Sequence, residues 1–201
     1  MKPLIAIAAA YLIGGIPFGY LLVRWTTGQD VRALGSGNIG ATNVWRSTSR
    51  AVGLATLLLD IFKGFAAVWF AAWLTDHDVT WMSAAAIAVI LGHAFPALLG
   101  FQGGKAVASF VGAFLFLAPL PLLATTIFFV VTVAVSRYIS LGSILGAATF
   151  PLAVYLIQHP PAPVLFAALF GGAFIIWRHK SNIARLRAGN ENVFRLKGAR
   201  A

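Results

Sequence analysis

Apolar runs broken at short intervals by glycine, proline or charge set the frame of this chain. They lie at Leu4–Val23, Leu54–Leu74, Val79–Leu99, Ala106–Ala118, Leu120–Val135, Leu141–Ile157 and Val164–Trp177. A helix needs about 20 apolar residues to cross a hydrocarbon core of about 30 Å, and most of these runs approach that length. The pattern therefore predicts an all-α, polytopic membrane protein of seven transmembrane helices forming a single domain over residues 1–201. The run before Pro119 is the exception: about 13 residues make roughly 20 Å of helix, too little to cross squarely unaided. The first run carries no charge and no A-x-A-like cleavage site, so it reads as a retained helix. No internal repeat of the transporter kind is visible.

The polar residues between the runs are distributed just as unevenly. If every run crosses, alternate loops hold Arg24, Arg32, Arg46 and Arg50, then Lys105, then Arg137, then a tail with seven Lys or Arg from Arg178 to Arg200. The opposite loops hold Lys2, the Asp76–His77–Asp78 turn, Pro119–Pro121 and Gln158–Pro163. Positive loops stay in the cytoplasm, so the N-terminus is expected outside and the C-terminus inside, which an odd number of crossings satisfies. The net charge of +10 thereby marks a membrane face and does not point to nucleic acid. A mean hydropathy of +0.87 with 10% charged residues excludes an ordinary soluble domain, which needs more polar surface than this chain has. With no cysteine, disulfides, thiolate chemistry and Cys-ligated metals are excluded.

Five polar stretches fall on the charged side. Residues 35–46 read GSGNIGATNVWR, in which small residues let backbone N–H groups approach an oxyanion and Arg46 supplies a planar cationic fork. A phosphate is the ligand this suits, with Gly35, Ser36, Gly37, Asn38, Gly40, Thr42 and Asn43 around it. The bland alternative is a turn at the membrane surface, where Gly and Asn supply positive φ and Arg meets headgroups. In LLLDIFKG, Asp60 and Lys63 share a helical face, either as a self-neutralising pair or as part of a site. GHAFPALLGFQGGKAVAS is not a Walker A sequence, since Leu99 stands where its first glycine would be and Ala106 replaces the Mg-binding hydroxyl. Its Gly103–Gly104–Lys105 opens a helix, so free N–H groups, the positive helix end and an ammonium could converge on one anion. A lysine reaching out to headgroups is the plainer reading of Lys105. His93, beside Gly92 and Pro96, suits a helix cap or a base. In SRYISLGS, Ser140 and Ser143 share a face and can bond back to their own helix. In HKSNIARLRAGNE, His179 and Asn182 are three apart, facing one way at the end of the last run.

The four stretches beside the first loop, all facing one compartment, can line a shallow site at the inner leaflet, whereas a transporter is expected to hold such groups near the midplane. Asp60 and Glu191 are the only acids expected on this side, too few for a carboxylate-held Mg²⁺, so no metal is expected. No His is followed five residues later by Asp: Leu98, Ala184, Met82 and Val164 stand there. No Ser–His–acid triad is readable.

Together, in order and over nearly the whole chain, these stretches closely resemble the bacterial acyl-phosphate:glycerol-3-phosphate acyltransferases, the PlsY family. Each tripeptide alone is weak, but five successive motifs at compatible spacing are specific. Ser109 stands where a Thr is common, which keeps the hydroxyl. The resemblance implies a seven-helix enzyme of the bacterial inner membrane, its site facing the cytoplasm. It would move an acyl group from acyl phosphate to the sn-1 hydroxyl of glycerol 3-phosphate, giving lysophosphatidic acid and phosphate without a cofactor. Its partners would be those two substrates and membrane lipids. Carried onto this sequence, the catalytic candidates are Ser36, Arg46, Lys105, His179 and Asn182. The substrate-binding candidates are Gly35, Gly37, Asn38, Gly40, Thr42, Asn43, Lys63, His93, Gly103, Gly104, Ser143 and Glu191. The Gly35–Asn43 loop with Ser143 is expected to cradle the acyl-phosphate head, and Arg46, Lys105, His179 and Asn182 to hold glycerol 3-phosphate, or the two sets exchange substrates. The hydroxyl proton is expected to pass to a phosphate oxygen of the donor, with His93 or His179 as alternatives. The residues also suit a membrane transporter of a phosphorylated metabolite, which would need a continuous polar path, or a lipid-binding scaffold.

Overall fold

The computed structural model describes residues 1–194; Arg195, Lys197 and Arg200 of the basic tail lie outside them. Among the described residues every regular element is helical: α1 (Lys2–Gly14), α2 (Phe18–Thr27), α3 (Ala41–Ser47), α4 (Arg50–Leu74), α5 (Val79–Ala94), α6 (Val107–Leu117), α7 (Pro119–Ser136), α8 (Ile139–Gln158), α9 (Ala162–Arg178) and α10 (Lys180–Arg187). Each apolar run has its helix. Five spans, Lys2–Thr27, Arg50–Leu74, Val79–Leu99, Pro119–Ser136 and Ile139–Gln158, are long and apolar enough to cross a bilayer, and α9 with α10 makes a sixth if that bent pair counts as one. The 11-residue α6 is the short apolar helix that the chain pattern singled out.

Helix ends differ from the apolar runs for local reasons. Pro17 has no N–H to continue the ladder, so the first run divides into α1 and α2. Ser49 accepts from Val52 N at 3.2 Å and starts α4 four residues ahead of its apolar run. Pro96 stops α5 at Ala94, leaving Ala97–Leu99 as a 3-10 turn.

The contacts gather into two units, Met1–Leu117 and a second from Ala118 onward. In the first, α4 packs on α6 and α1 on α5, with α1 also against α4. Both main contacts are reciprocal glycine approaches. A Cβ on Gly14 would overlap the Val89 carbonyl and one on Gly92 the Tyr11 carbonyl, while Gly64 meets Ser109 O and Gly112 meets Ile61 O in the same way. Without a hydrophobic drive between helices in lipid, small residues that let backbones touch supply the packing. The buried stripe of α4 runs Gly53, Thr56, Asp60, Lys63, Gly64, Ala67 and Ala71, a helical repeat that carries both charges inward. Its other side exposes Leu58, Phe62, Trp69 and Trp73, as a lipid-facing surface does. In the second unit α8 packs between α7 and α9, and Gly172 of α9 approaches the Ala147 carbonyl at 2.5 Å for an added Cβ.

Candidate active site

The first glycine-rich segment is a built loop. Val31, Ile39 and Val44 turn inward and pack with Val23 of α2 and Leu99 of the turn after α5. Asn43 is the hub above them: its Oδ1 accepts from Ser36 N at 2.9 Å, and its Nδ2 donates to Asn38 O at 2.9 Å and Leu34 O at 3.0 Å. Asn43 is only 5% exposed, so this substrate-binding candidate shapes the loop from within. Gly35 and Gly37 take φ of +55° and +71°, the left-handed region in which a side chain is strained, and a Cβ on Gly35 would also overlap Asn43 Oδ1. Asn38 Oδ1 accepts from Gly40 N at 2.8 Å, a tight turn that delivers the chain into α3. Ser36, Gly35, Gly37 and Arg46 are exposed on the outside of this frame, and Thr42 is half-buried. At the loop's entrance Arg32 forms a bidentate pair with Asp30, 2.7 Å at the closest, and lies 5.2 Å over the Tyr20 ring. The hydrogen bonds from Arg32 hold the Asp30 carboxyl below the usual carboxylate range.

The second glycine-rich segment departs from expectation. Gly103 N donates to Ala94 O at 3.1 Å and Gly104 N to His93 O at 3.2 Å, so these N–H groups pin the loop to the end of α5 and are not held open for an anion. Glycine is required there by contact: a Cβ on Gly103 would overlap His93 O, and one on Gly104 would overlap His93 Nε2. Helix α6 begins two residues after Lys105, past Ala106 at φ +63°. Lys105 is half-buried. His93 is 4% exposed, with Nδ1 3.2 Å from Ser109 Oγ and 3.7 Å from Asp60 Oδ1. Asp60 pairs with Lys63 at 2.7 Å, off the angle of a good hydrogen bond, and Lys63 Nζ donates to Ile16 O at 2.8 Å while facing the Phe18 ring at 5.7 Å. Lys63, a substrate-binding candidate, is thus spent inside the helix packing. Asp60, His93 and Ser109 contain the groups of a hydrolytic triad, but the serine and the acid meet the same ring nitrogen, so no relay forms.

In the second unit the last apolar helix breaks at His179, and α10 leaves at 56° to α9. His179 and Asn182 therefore do not share one continuous helical face. The apolar run ends at Trp177, and the charged KSNIARLR segment leaves the direction of the span. His179 Nδ1 is 2.8 Å from Ile175 O; a carbonyl only accepts, so Nδ1 carries a proton and donates it there. Asn182 Nδ2 donates to Glu191 Oε1 at 2.9 Å, and Arg185 Nε to Glu191 Oε2 at 2.8 Å. Glu191, a binding candidate, has both oxygens engaged and fixes the Asn182 amide. Ser143 Oγ bonds back to Ile139 O at 2.9 Å. The sequence reading did not foresee the contact of Ser109 with His93, since a spacing of sixteen carries no periodic signal.

Residues 4–189 match the family described as glycerol-3-phosphate acyltransferase. A glycerol-3-phosphate acyltransferase of Desulforamulus reducens is 46% identical over 185 residues, 92% of each chain, and one of Geobacter sulfurreducens is 46% identical over 195 residues, 97% of this chain and 99% of its own. Among solved structures, the glycerol 3-phosphate form of PlsY, an integral membrane glycerol 3-phosphate acyltransferase, superposes with a TM-score of 0.92 at 35% identity, covering 97% of this chain and 96% of that one. The lysophosphatidic acid form of that protein superposes at 0.88, with 34% identity and the same coverage.

Proposed function

The chain belongs to the glycerol-3-phosphate acyltransferase family, and on that premise we propose that it acylates the sn-1 hydroxyl of glycerol 3-phosphate with acyl phosphate as donor. The observation that carries the site reading is the shared core: Leu99, four residues before Gly103, packs in the same cluster as Val31, Ile39 and Val44. One small hydrophobic cluster therefore holds the first glycine-rich loop against the turn that leads to Lys105. The exposed Gly35–Gly37 backbone and Ser36 receive the acyl-phosphate head, and Lys105 and Arg46 take the phosphate of glycerol 3-phosphate. Thr42, Asn38 and Gly40 complete the loop. On the family resemblance alone, His179 and Asn182, whose amide Glu191 holds, are assigned to the glycerol moiety and Ser143 to the donor.

Acyl phosphate is a mixed anhydride whose leaving group departs readily, so no protein nucleophile is needed. The sn-1 oxygen attacks the acyl carbon to form the new ester C–O bond. The bond from that carbon to the phosphate oxygen breaks, and the hydroxyl proton goes to a phosphate oxygen. Lysophosphatidic acid and inorganic phosphate are the products. The protein contributes proximity and donors aimed at the developing oxyanion. We place the chain in the bacterial inner membrane with seven crossings and the site on the cytoplasmic face, as the distribution of Arg and Lys implies.

Purified protein in detergent, given palmitoyl phosphate with and without glycerol 3-phosphate and no ATP, CoA or divalent metal, tests this reading. Phosphate release that depends on glycerol 3-phosphate and yields lysophosphatidic acid is the expected result. A folded preparation that releases none, yet works with acyl-CoA, would replace the donor.

A further inference from the structure

The geometry points to Ser109, His93 and Asp60 as a positioning set that fixes the Gly103–Lys105 segment, and through it the grip of Lys105 on glycerol 3-phosphate. The His93 ring stands where α4, α5, α6 and the loop meet. Its Nε2 edge lies against the Gly104 backbone so closely that a Cβ there would overlap it. Its opposite nitrogen is held 3.2 Å from Ser109 Oγ and 3.7 Å from Asp60 Oδ1, and Asp60 is itself held by Lys63. Ser109 is fully buried, so its hydroxyl has the ring as its business and solvent does not reach it. The two backbone bonds from Gly103 and Gly104 fasten the loop to residues 93 and 94, and the His93 ring packs directly against the Gly104 backbone. A ring free to rotate about χ2 would let Gly104, and Lys105 one bond further on, settle differently. Buried among the helices, these three residues are positioning residues that act through Lys105.

This rests on the assignment of Lys105 to the glycerol 3-phosphate site, so the test separates the two. Steady-state rates are measured with glycerol 3-phosphate varied at saturating palmitoyl phosphate for Lys105→Ala, Ser109→Thr, Ser109→Val and His93→Ala, with thermal unfolding in detergent for each. Thr and Val have one shape and differ by the hydroxyl alone. Ser109→Thr is expected to keep the parent KM, while Ser109→Val raises KM for glycerol 3-phosphate by roughly tenfold, the weight of one charge-assisted contact at Lys105, with kcat within about threefold. His93→Ala, if it folds, raises KM similarly and shows no further rise when combined with Ser109→Val. If Lys105→Ala raises KM and Ser109→Val does not, the inference falls and the site reading stands. A Val variant that loses only kcat, or that unfolds where Thr does not, makes the hydroxyl structural and also overturns it. An unchanged KM in Lys105→Ala overturns the parent reading and this one together.

Discussion

Asn43 shows how a polar residue within a functional motif serves the motif and not the ligand. Its single amide satisfies one N–H and two carbonyls of a loop whose backbone has no ladder to bond to. Asn43→Ala is expected to lower stability by about 1–3 kcal/mol through those orphaned groups, read as a fall in thermal midpoint. Asn43→Asp should do no better, because a carboxylate cannot donate to Leu34 and Asn38 and sets a charge against both. Arg46 lies outside this frame, and Arg46→Lys should cut kcat/KM by roughly tenfold or more where a guanidinium fork is used bidentately. Wild-type kinetics in that variant would reduce Arg46 to a headgroup contact. Part of this was legible from residue types: the plainer turn reading expected positive φ of the glycines, and Gly35 and Gly37 have it. The inward aim of Asn43 was not, since an amide looks the same in a sequence whether it faces a ligand or its own backbone. The closed N–H groups of Gly103 and Gly104 were hidden for a related reason, because a glycine needed for contact and one needed for a bare N–H are spelled alike.

At the level of elements, apolar runs foretold every membrane-length helix, while their ends were set by single residues: Ser49, Pro17, Pro96 and the break at His179. The i,i+3 spacing announced the Asp60–Lys63 pair, and the structure holds it at 2.7 Å. It could not announce Ile16 O or Phe18, which arrive from 47 and 45 positions away in the chain. A buried ion pair contributes little net stability, but breaking it leaves one charge stranded. Asp60→Asn is therefore expected to cost about 3–5 kcal/mol by detergent unfolding, and the double exchange Asp60→Leu with Lys63→Met markedly less. Equal damage from both would show that the charges do more than neutralise each other. Gly112→Ala should also destabilise, by about 1–3 kcal/mol, because the added methyl would meet a backbone carbonyl that cannot rotate away.

For the whole molecule, charge distribution decides orientation, and the absence of cysteine makes that easy to read. Single cysteines placed at Lys2 and at Ser181 should react oppositely with an impermeant maleimide on intact cells: the first labelled, the second only after permeabilisation. Labelling of both from outside would require an even number of crossings.

The reciprocal glycine contacts between α4 and α6 carry one more implication. Side chains can be compressed, but a backbone resting on a backbone has no play, so these two helices tilt together and do not slide. The short α6 would then take its depth from α4, and the bilayer around it would adjust by thinning. With Lys105 leading into a helix that is locked to its neighbour, its substrate affinity should stay constant as cells lengthen or shorten their acyl chains with temperature.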